Sequence, residues 1–197
     1  MAYNVFISFR YSDGHKLKDD LSNYFTSYTD TVDFSEDKDR SYLSESSIQN
    51  YLYGKLRRSS ITIVLLTPMA VTHKKNWAGQ YDDWMYDEIR YSLEDRQNNR
   101  TNGLIAVYSP DAEDLLVEKS NDGLTYLKDV DNLFRKNMLN IKTPYKHNPN
   151  YNQFDSDYDS YCSLVSYSTF ISNIGKYIDI AIQKRESLYQ YEICKRL

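Results

Sequence analysis

Apolar residues recur along this chain in two rhythms. Short unbroken apolar runs alternate with stretches in which apolar residues return every three or four positions. Val5-Phe6-Ile7-Ser8-Phe9 is rich in β-formers and reads as a first, central strand. A polar loop, Arg10-Tyr11-Ser12-Asp13-Gly14, follows it, and either Ser12 or Asp13 can cap a helix. Leu17, Leu21, Phe25 and Tyr28 then mark one face of that helix. A short second strand covers residues 31–34, and a charged loop leads to Ser44, which can cap a second helix with Ile48, Leu52 and Leu56 inside. Residues 61–66 predict a third strand, closed by Thr67-Pro68. Met85, Ile89 and Leu93 predict a third helix, and residues 104–108 a fourth strand, closed by Ser109-Pro110.

Strand–helix alternation of this kind predicts a parallel sheet with helices on both faces. The strands are short and nearly all apolar, as strands covered on two faces are. The expected fold is α/β, a flavodoxin-like, doubly wound parallel sheet. Residues 110–165 are less regular, and residues 142–159 read as a long surface loop crowded with Asn, Asp, Tyr, Lys and Pro. From about Ser168 a terminal helix carries Phe170, Ile171, Ile174, Ile178, Ala181, Ile182 and Leu188, a stripe suited to docking on the domain. The reading is one domain over 1–197, with a core over about 3–110, an irregular extension over 110–165 and a C-terminal helix over 168–197.

Composition narrows the function. The 197 residues carry a formal net charge of −4, which leaves no basic surplus for a phosphate backbone, so nucleic acid is not an expected partner. No apolar run approaches the roughly 20 residues of a membrane span. The first residues lack the charged start and apolar stretch of a secretory signal. The two cysteines, Cys162 and Cys194, lie far apart and suit a reduced, cytoplasmic chain. Twenty tyrosines reflect compositional bias or build sticky surfaces. The three histidines are scattered, which predicts no metal site, and with only six glycines there is neither a Gly-x-Gly-x-x-Gly turn nor a Walker loop.

In open parallel sheets, ligands bind beyond the carboxyl ends of the strands. Residues 9–13, 34–37, Thr67 onward and Ser109 fall at that edge, as does the start of the third helix. Trp84 and Glu88 lie four apart on this helix and so share a face. Glu88 is thereby placed at the margin of the core beside a large aromatic ring. Partial desolvation of a carboxylate and an aromatic wall for a planar ligand are features of catalytic acids. Spacing alone leaves a solvated or ion-paired surface acid as the commoner reading of such a residue.

Three segments, in register, also resemble a known family. Val5-Phe6-Ile7-Ser8-Phe9-Arg10 with Asp13 resembles the opening strand of Toll/interleukin receptor (TIR) domains, in their plant and bacterial versions. Ile61-Thr62-Ile63-Val64-Leu65-Leu66-Thr67-Pro68 is similar to the TIR strand that ends in Ser-Pro or Thr-Pro. Trp84-Met85-Tyr86-Asp87-Glu88-Ile89 resembles the family's Trp-x-x-Asp-Glu-Leu helix. The likeness covers residues 3–109 and is greatest to the TIR-like proteins of Thoeris-type anti-phage systems.

The resemblance implies cleavage of the nicotinamide–ribose bond of NAD, as substrate and without a separate cofactor. It implies Glu88 as the catalytic carboxylate against the ribose. It further implies a cyclic ADP-ribose-like or other ADP-ribose-derived signal that switches on a separate effector, and homo-oligomers through TIR–TIR contacts. Phe9 and Trp84 are then expected to flank flat rings, with Arg10, Ser12 and Asp13 near a phosphate. The loop over 36–44 departs from the family in lacking Gly and Pro, and residues 73–81 form a long insertion before the Trp84 helix. Two other readings stand beside this one: a non-catalytic TIR adaptor, and a nucleoside deoxyribosyltransferase-like enzyme.

Overall fold

A computed structural model describes residues 3–27, 31–33, 45–71, 84–95, 100–121, 123–148, 150 and 153–197. Strand β1 (Tyr3–Ser8) leads into helix α1 (Tyr11–Ser27), then β2 (Thr31–Asp33), α2 (Glu45–Leu56) and β3 (Ile61–Leu66). A single turn, α3 (Pro68–Val71), precedes α4 (Trp84–Leu93) and β4 (Gly103–Tyr108). There follow α5 (Glu113–Leu116), the hairpin β5 (Val117–Lys119) and β6 (Thr125–Leu127), and α6 (Leu133–Lys136). The chain closes with β7 (Cys162–Ser166), α7 (Tyr167–Ser172) and α8 (Ile174–Glu186).

Five strands form one sheet in the order β2-β1-β3-β4-β7, and each pairing is parallel. This is the doubly wound, flavodoxin-like order, in which the direction of winding reverses between β1 and β3. Alternation along the strands divides the core. Val5, Ile7, Ile61, Ile63, Leu65, Ile105 and Val107 face α1 and α8. Val64, Leu66, Leu104 and Ala106 face α4 and the segment beyond β4. Phe6 meets Leu52, Leu56 and Tyr91, which joins β1 to α2 and α4.

The expected helix faces are the buried ones: Leu21 and Phe25 in α1, Leu52 and Leu56 in α2, and Met85, Ile89 and Leu93 in α4. Phe34, Ser44, the side chains of Tyr28 and Ile48, the loop over 36–44 and the insertion over 73–81 lie outside the described residues.

The chain beyond residue 110 differs from the periodicity reading in two places. Cys162–Ser166 is a fifth strand, paired to β4 from Leu104↔Cys162 to Tyr108↔Ser166. Its five residues include two serines, which break the apolar signal; Ser163 is nonetheless buried, with its Oγ accepting from Lys184 Nζ at 2.8 Å. The terminal helix is also broken. Asn173 (φ −142°, ψ 34°) separates α7 from α8, and its side chain donates back to the Thr169 carbonyl at 3.0 Å. Phe170, Ile174, Ile178 and Ala181 remain in the core, whereas Leu188 falls beyond the helix, in a short 3-10 turn. Gly103, at the start of β4, lets α8 come close: a Cβ there would sit 2.6 Å from the Ala181 carbonyl oxygen. No helix among the described residues is long and apolar enough to cross a membrane.

Candidate functional site

β1 places its last residues at the carboxyl edge beside the winding reversal, where doubly wound sheets bind ligands. Alternation sends Ser8 to the same face as Phe6, toward α4. There the Ser8 hydroxyl donates to Glu88 Oε2 at 2.5 Å. Ser8 is fully buried and Glu88 is 8% exposed. A carboxylate this deep requires a donor, and Ser8, eighty residues earlier in the chain, supplies one.

A second set of bonds fixes the helix that carries Glu88. Ser92 Oγ donates to the Glu88 carbonyl at 2.7 Å and lies 2.7 Å from Thr62 Oγ1 on β3. Asn102 Nδ2 donates to that same Thr62 oxygen at 3.2 Å. On the other side, Arg90 binds Asp87, Glu94 and the Tyr53 hydroxyl, while the Tyr53 ring stacks on Tyr91 at 3.9 Å between centroids. α4 is thus tied to the sheet and to α2, and Glu88 inherits that rigidity.

Trp84 is 38% exposed, one helical turn before Glu88 and on the same face. Phe9 takes a different course. It packs with the cluster on the α1 and α8 side, against Gly14, where an added Cβ would lie 3.3 Å from the Phe9 Cβ. Among the described residues no ring contact joins Phe9 to Trp84.

Arg10 is half-buried at the turn from β1 to α1, and its carbonyl accepts the first helical bond, from Gly14 N at 2.7 Å. α1 begins at Tyr11, so Ser12 and Asp13 stand inside its first turn rather than before it. Ser12 is exposed, with its Oγ 3.7 Å from Met69 Sδ. Asp13 Oδ2 accepts from Met69 N at 3.1 Å. It therefore caps α3 rather than its own helix and ties the start of α1 to the end of β3.

Two further residues that the sequence places at this edge are Thr67 and Ser109. Thr67 and Ser109 each follow a strand and precede a proline, and β3 and β4 are register neighbours up to Leu66↔Tyr108. Thr67 Oγ1, Ser109 Oγ and Asp13 Oδ1 are buried without a hydrogen-bond partner among the described residues. Two of these oxygens follow directly on β3 and β4, and the third, on α1, belongs to the carboxylate that accepts from Met69 N.

A model of the family described as Thoeris protein ThsB, TIR-like domain, matches residues 6–114, just over half of the chain. No curated protein matches. Among solved structures the chain is similar to one in the activated Roq1 resistosome directly recognizing the pathogen effector XopQ (TIR domains). The identity is 25% and the TM-score 0.37, over 55% of this chain and 58% of that one. The present chain thus spans less than two thirds of that relative.

Proposed function

The chain belongs to the TIR-like domain family of the Thoeris protein ThsB, and from that premise we propose that it is an NAD-consuming enzyme of anti-phage defence with Glu88 as its catalytic carboxylate. The observation that carries the reading is the buried Glu88 carboxylate, held by Ser8 at the end of β1 beside the exposed ring of Trp84. The reaction breaks the bond between the ribose C1′ and the nicotinamide nitrogen. The electron pair stays with the ring, which leaves as neutral nicotinamide, and positive charge develops on the ribose. A fixed carboxylate stabilises that charge and orients the ribose hydroxyls. The leaving group is already cationic, so no strong general acid is needed, and one carboxylate suffices.

Trp84 offers an aromatic wall for the nicotinamide or the ribose. Arg10, with Ser12 and Asp13, stands at the same edge in reach of the substrate's phosphates, and Phe9 supports that turn from beneath. The freed C1′ is captured either by another atom of the same molecule, giving a cyclic ADP-ribose-like product, or by water. The cyclic product then activates a separate effector protein in the cytoplasm, and TIR–TIR contacts between copies complete the active form.

The test is nicotinamide release, followed by chromatography and mass spectrometry on extracts of phage-infected cells. Glu88→Gln keeps the size and an acceptor for Ser8 but removes the charge, and is expected to lower release by at least ~100-fold, the scale of losing one charge-stabilising group. Wild-type cells that leave NAD intact after infection, or a Glu88→Gln strain that still protects, would sink the proposal.

A further inference from the structure

A second concave site lies at the same carboxyl edge, displaced along the sheet to β4 and β7. Its floor is the last pair of that ladder, Tyr108↔Ser166. One wall is the start of α7 and the other is the β5–β6 hairpin, which α5 holds in place through Lys128 N on the Leu116 carbonyl and Lys128 Nζ on the Asp114 carbonyl. The cavity measures about 450 Å³, within the range of small-molecule sites. It shares no residue with the Glu88 site, and β3 stands between them.

Its lining mixes three chemistries. Tyr108 and Tyr167 bring aromatic rings, and Val117 adds apolar surface. Ser166, Ser168 and Thr125 bring hydroxyls. At the rim, Lys119 Nζ meets Glu113 Oε1 at 2.5 Å, with side chains 68% and 32% exposed. An ion pair this exposed contributes little by itself, so either partner can be exchanged for a ligand group. Burial, and then the Glu113 carboxylate, push the Tyr108 phenol above its ordinary range, so it remains an O–H donor. The Tyr167 oxygen is buried and has no hydrogen-bond partner among the described residues.

A ligand that matches this lining has a flat ring, hydroxyls and one anionic group. We propose that the cavity is a second ligand site that takes a nucleoside monophosphate, with its base against the tyrosine rings and its phosphate at Lys119. Glu113, released from Lys119, then accepts from the ribose hydroxyls. The proposal does not depend on Glu88 chemistry, since such a ligand has no nicotinamide to lose.

The experiment is calorimetric titration of the full chain with AMP, adenosine and inorganic phosphate in parallel. AMP is expected to saturate one site, with adenosine and phosphate each weaker by at least about tenfold, because each supplies only part of the match. Lys119→Glu, a change at an exposed side chain that leaves the fold intact, is expected to weaken AMP by about tenfold or more, on the scale of one charge-assisted contact. Tyr167→Ala is expected to weaken AMP and adenosine together, and Glu88→Gln to change neither. Absence of saturable AMP binding overturns the proposal. So does AMP binding that both cavity variants leave unchanged, or that Glu88→Gln abolishes.

Discussion

A buried carboxylate is only as useful as the groups that hold it. Ser8 donates its hydroxyl to Glu88, so Ser8→Ala tests whether position matters as well as charge. The variant leaves a buried oxygen short of a donor, which destabilises by about 1–3 kcal/mol. Nicotinamide release is expected to fall while the protein stays folded, and Ser8→Thr, which restores a hydroxyl, to recover part of it. Full activity in a folded Ser8→Ala protein, with unfolding followed by circular dichroism, would show that Glu88 positions itself. The placement of Glu88 at the margin of the core was legible from the sequence because its helix has a clear 3.6-residue period. Ser8 was not, because its role depends on β1 meeting α4 across eighty positions. The same holds for Lys184, which stands in sequence among Gln183, Arg185 and Glu186, with nothing in the pattern to mark it as buried. It is 2% exposed with its Nζ on Ser163, and burial brings its pKa down to about 8. A lysine so depressed penalises the folded state fully below pH 8, and the penalty fades as pH rises from there toward the ordinary lysine value. Lys184→Met is therefore expected to raise the unfolding free energy at pH 7 by about 1–3 kcal/mol, less than the full linkage because Ser163 loses its donor. Chemical denaturation of both proteins from pH 7 to 9.5 should show that advantage shrinking; a gap that stays constant refutes the assignment.

At the scale of elements, the packing of α8 on the sheet is limited by one glycine. The close approach at Gly103 leaves no room for a methyl group, since the obstacle is the backbone carbonyl of Ala181 rather than a movable side chain. Gly103→Ala must push α8 outward or bend β4, and overpacking of this kind destabilises by about 1–3 kcal/mol. Thermal unfolding should show the lower Tm; an unchanged Tm means that α8 can shift freely. β1, β3 and β4, with α1, α2 and α4, were legible because those strands are mostly apolar runs and those helices carry regular stripes; the single turn α3 falls in a stretch that read as loop. β7 escaped because Ser163 and Ser166 interrupt its run, and because pairing with β4, rather than its own composition, makes it a strand. The break at Asn173 escaped because the apolar stripe continues across it in register. The stretch over 142–159 read as a surface loop, and its described residues make contacts invisible to periodicity. Asp159, fully buried, accepts from His147 N and Asp155 N at 2.8 Å each, and Lys176 of α8 pairs with Asp157 at 2.7 Å.

For the whole molecule, the span that carries the family likeness and the span that completes the fold are different. The match ends at residue 114, yet the fifth strand and the helix that covers β3 and β4 begin at 162 and 174. Between them, the chain returns repeatedly to the same body. Asn132 Nδ2 donates to the Val71 carbonyl at 3.2 Å, and the Tyr161 hydroxyl to the Asn102 carbonyl at 2.8 Å. The end of the chain is stitched in as well: Asn137 binds the backbone of Cys194 at both N–H and carbonyl, and Asn140 does the same with Glu192. Cutting at residue 114 would strip Phe170, Ile174, Ile178 and Ala181 from one core face, and Leu133, Phe134 and Tyr161 from the other. β4 would become a bare edge strand with apolar side chains on both faces, an arrangement that invites aggregation. A fragment over 1–114 is therefore expected to be unfolded or aggregated, although it contains Glu88, Ser8 and Trp84. The full chain is expected to unfold in a single transition, with fluorescence and far-ultraviolet circular dichroism coinciding. A soluble 1–114 fragment with dispersed amide resonances, or two separated transitions in the full chain, would mean that the extension is a dispensable addition. Residues beyond 114 supply the strand that pairs with β4 and side chains that cover both faces of the sheet from which Ser8 holds Glu88.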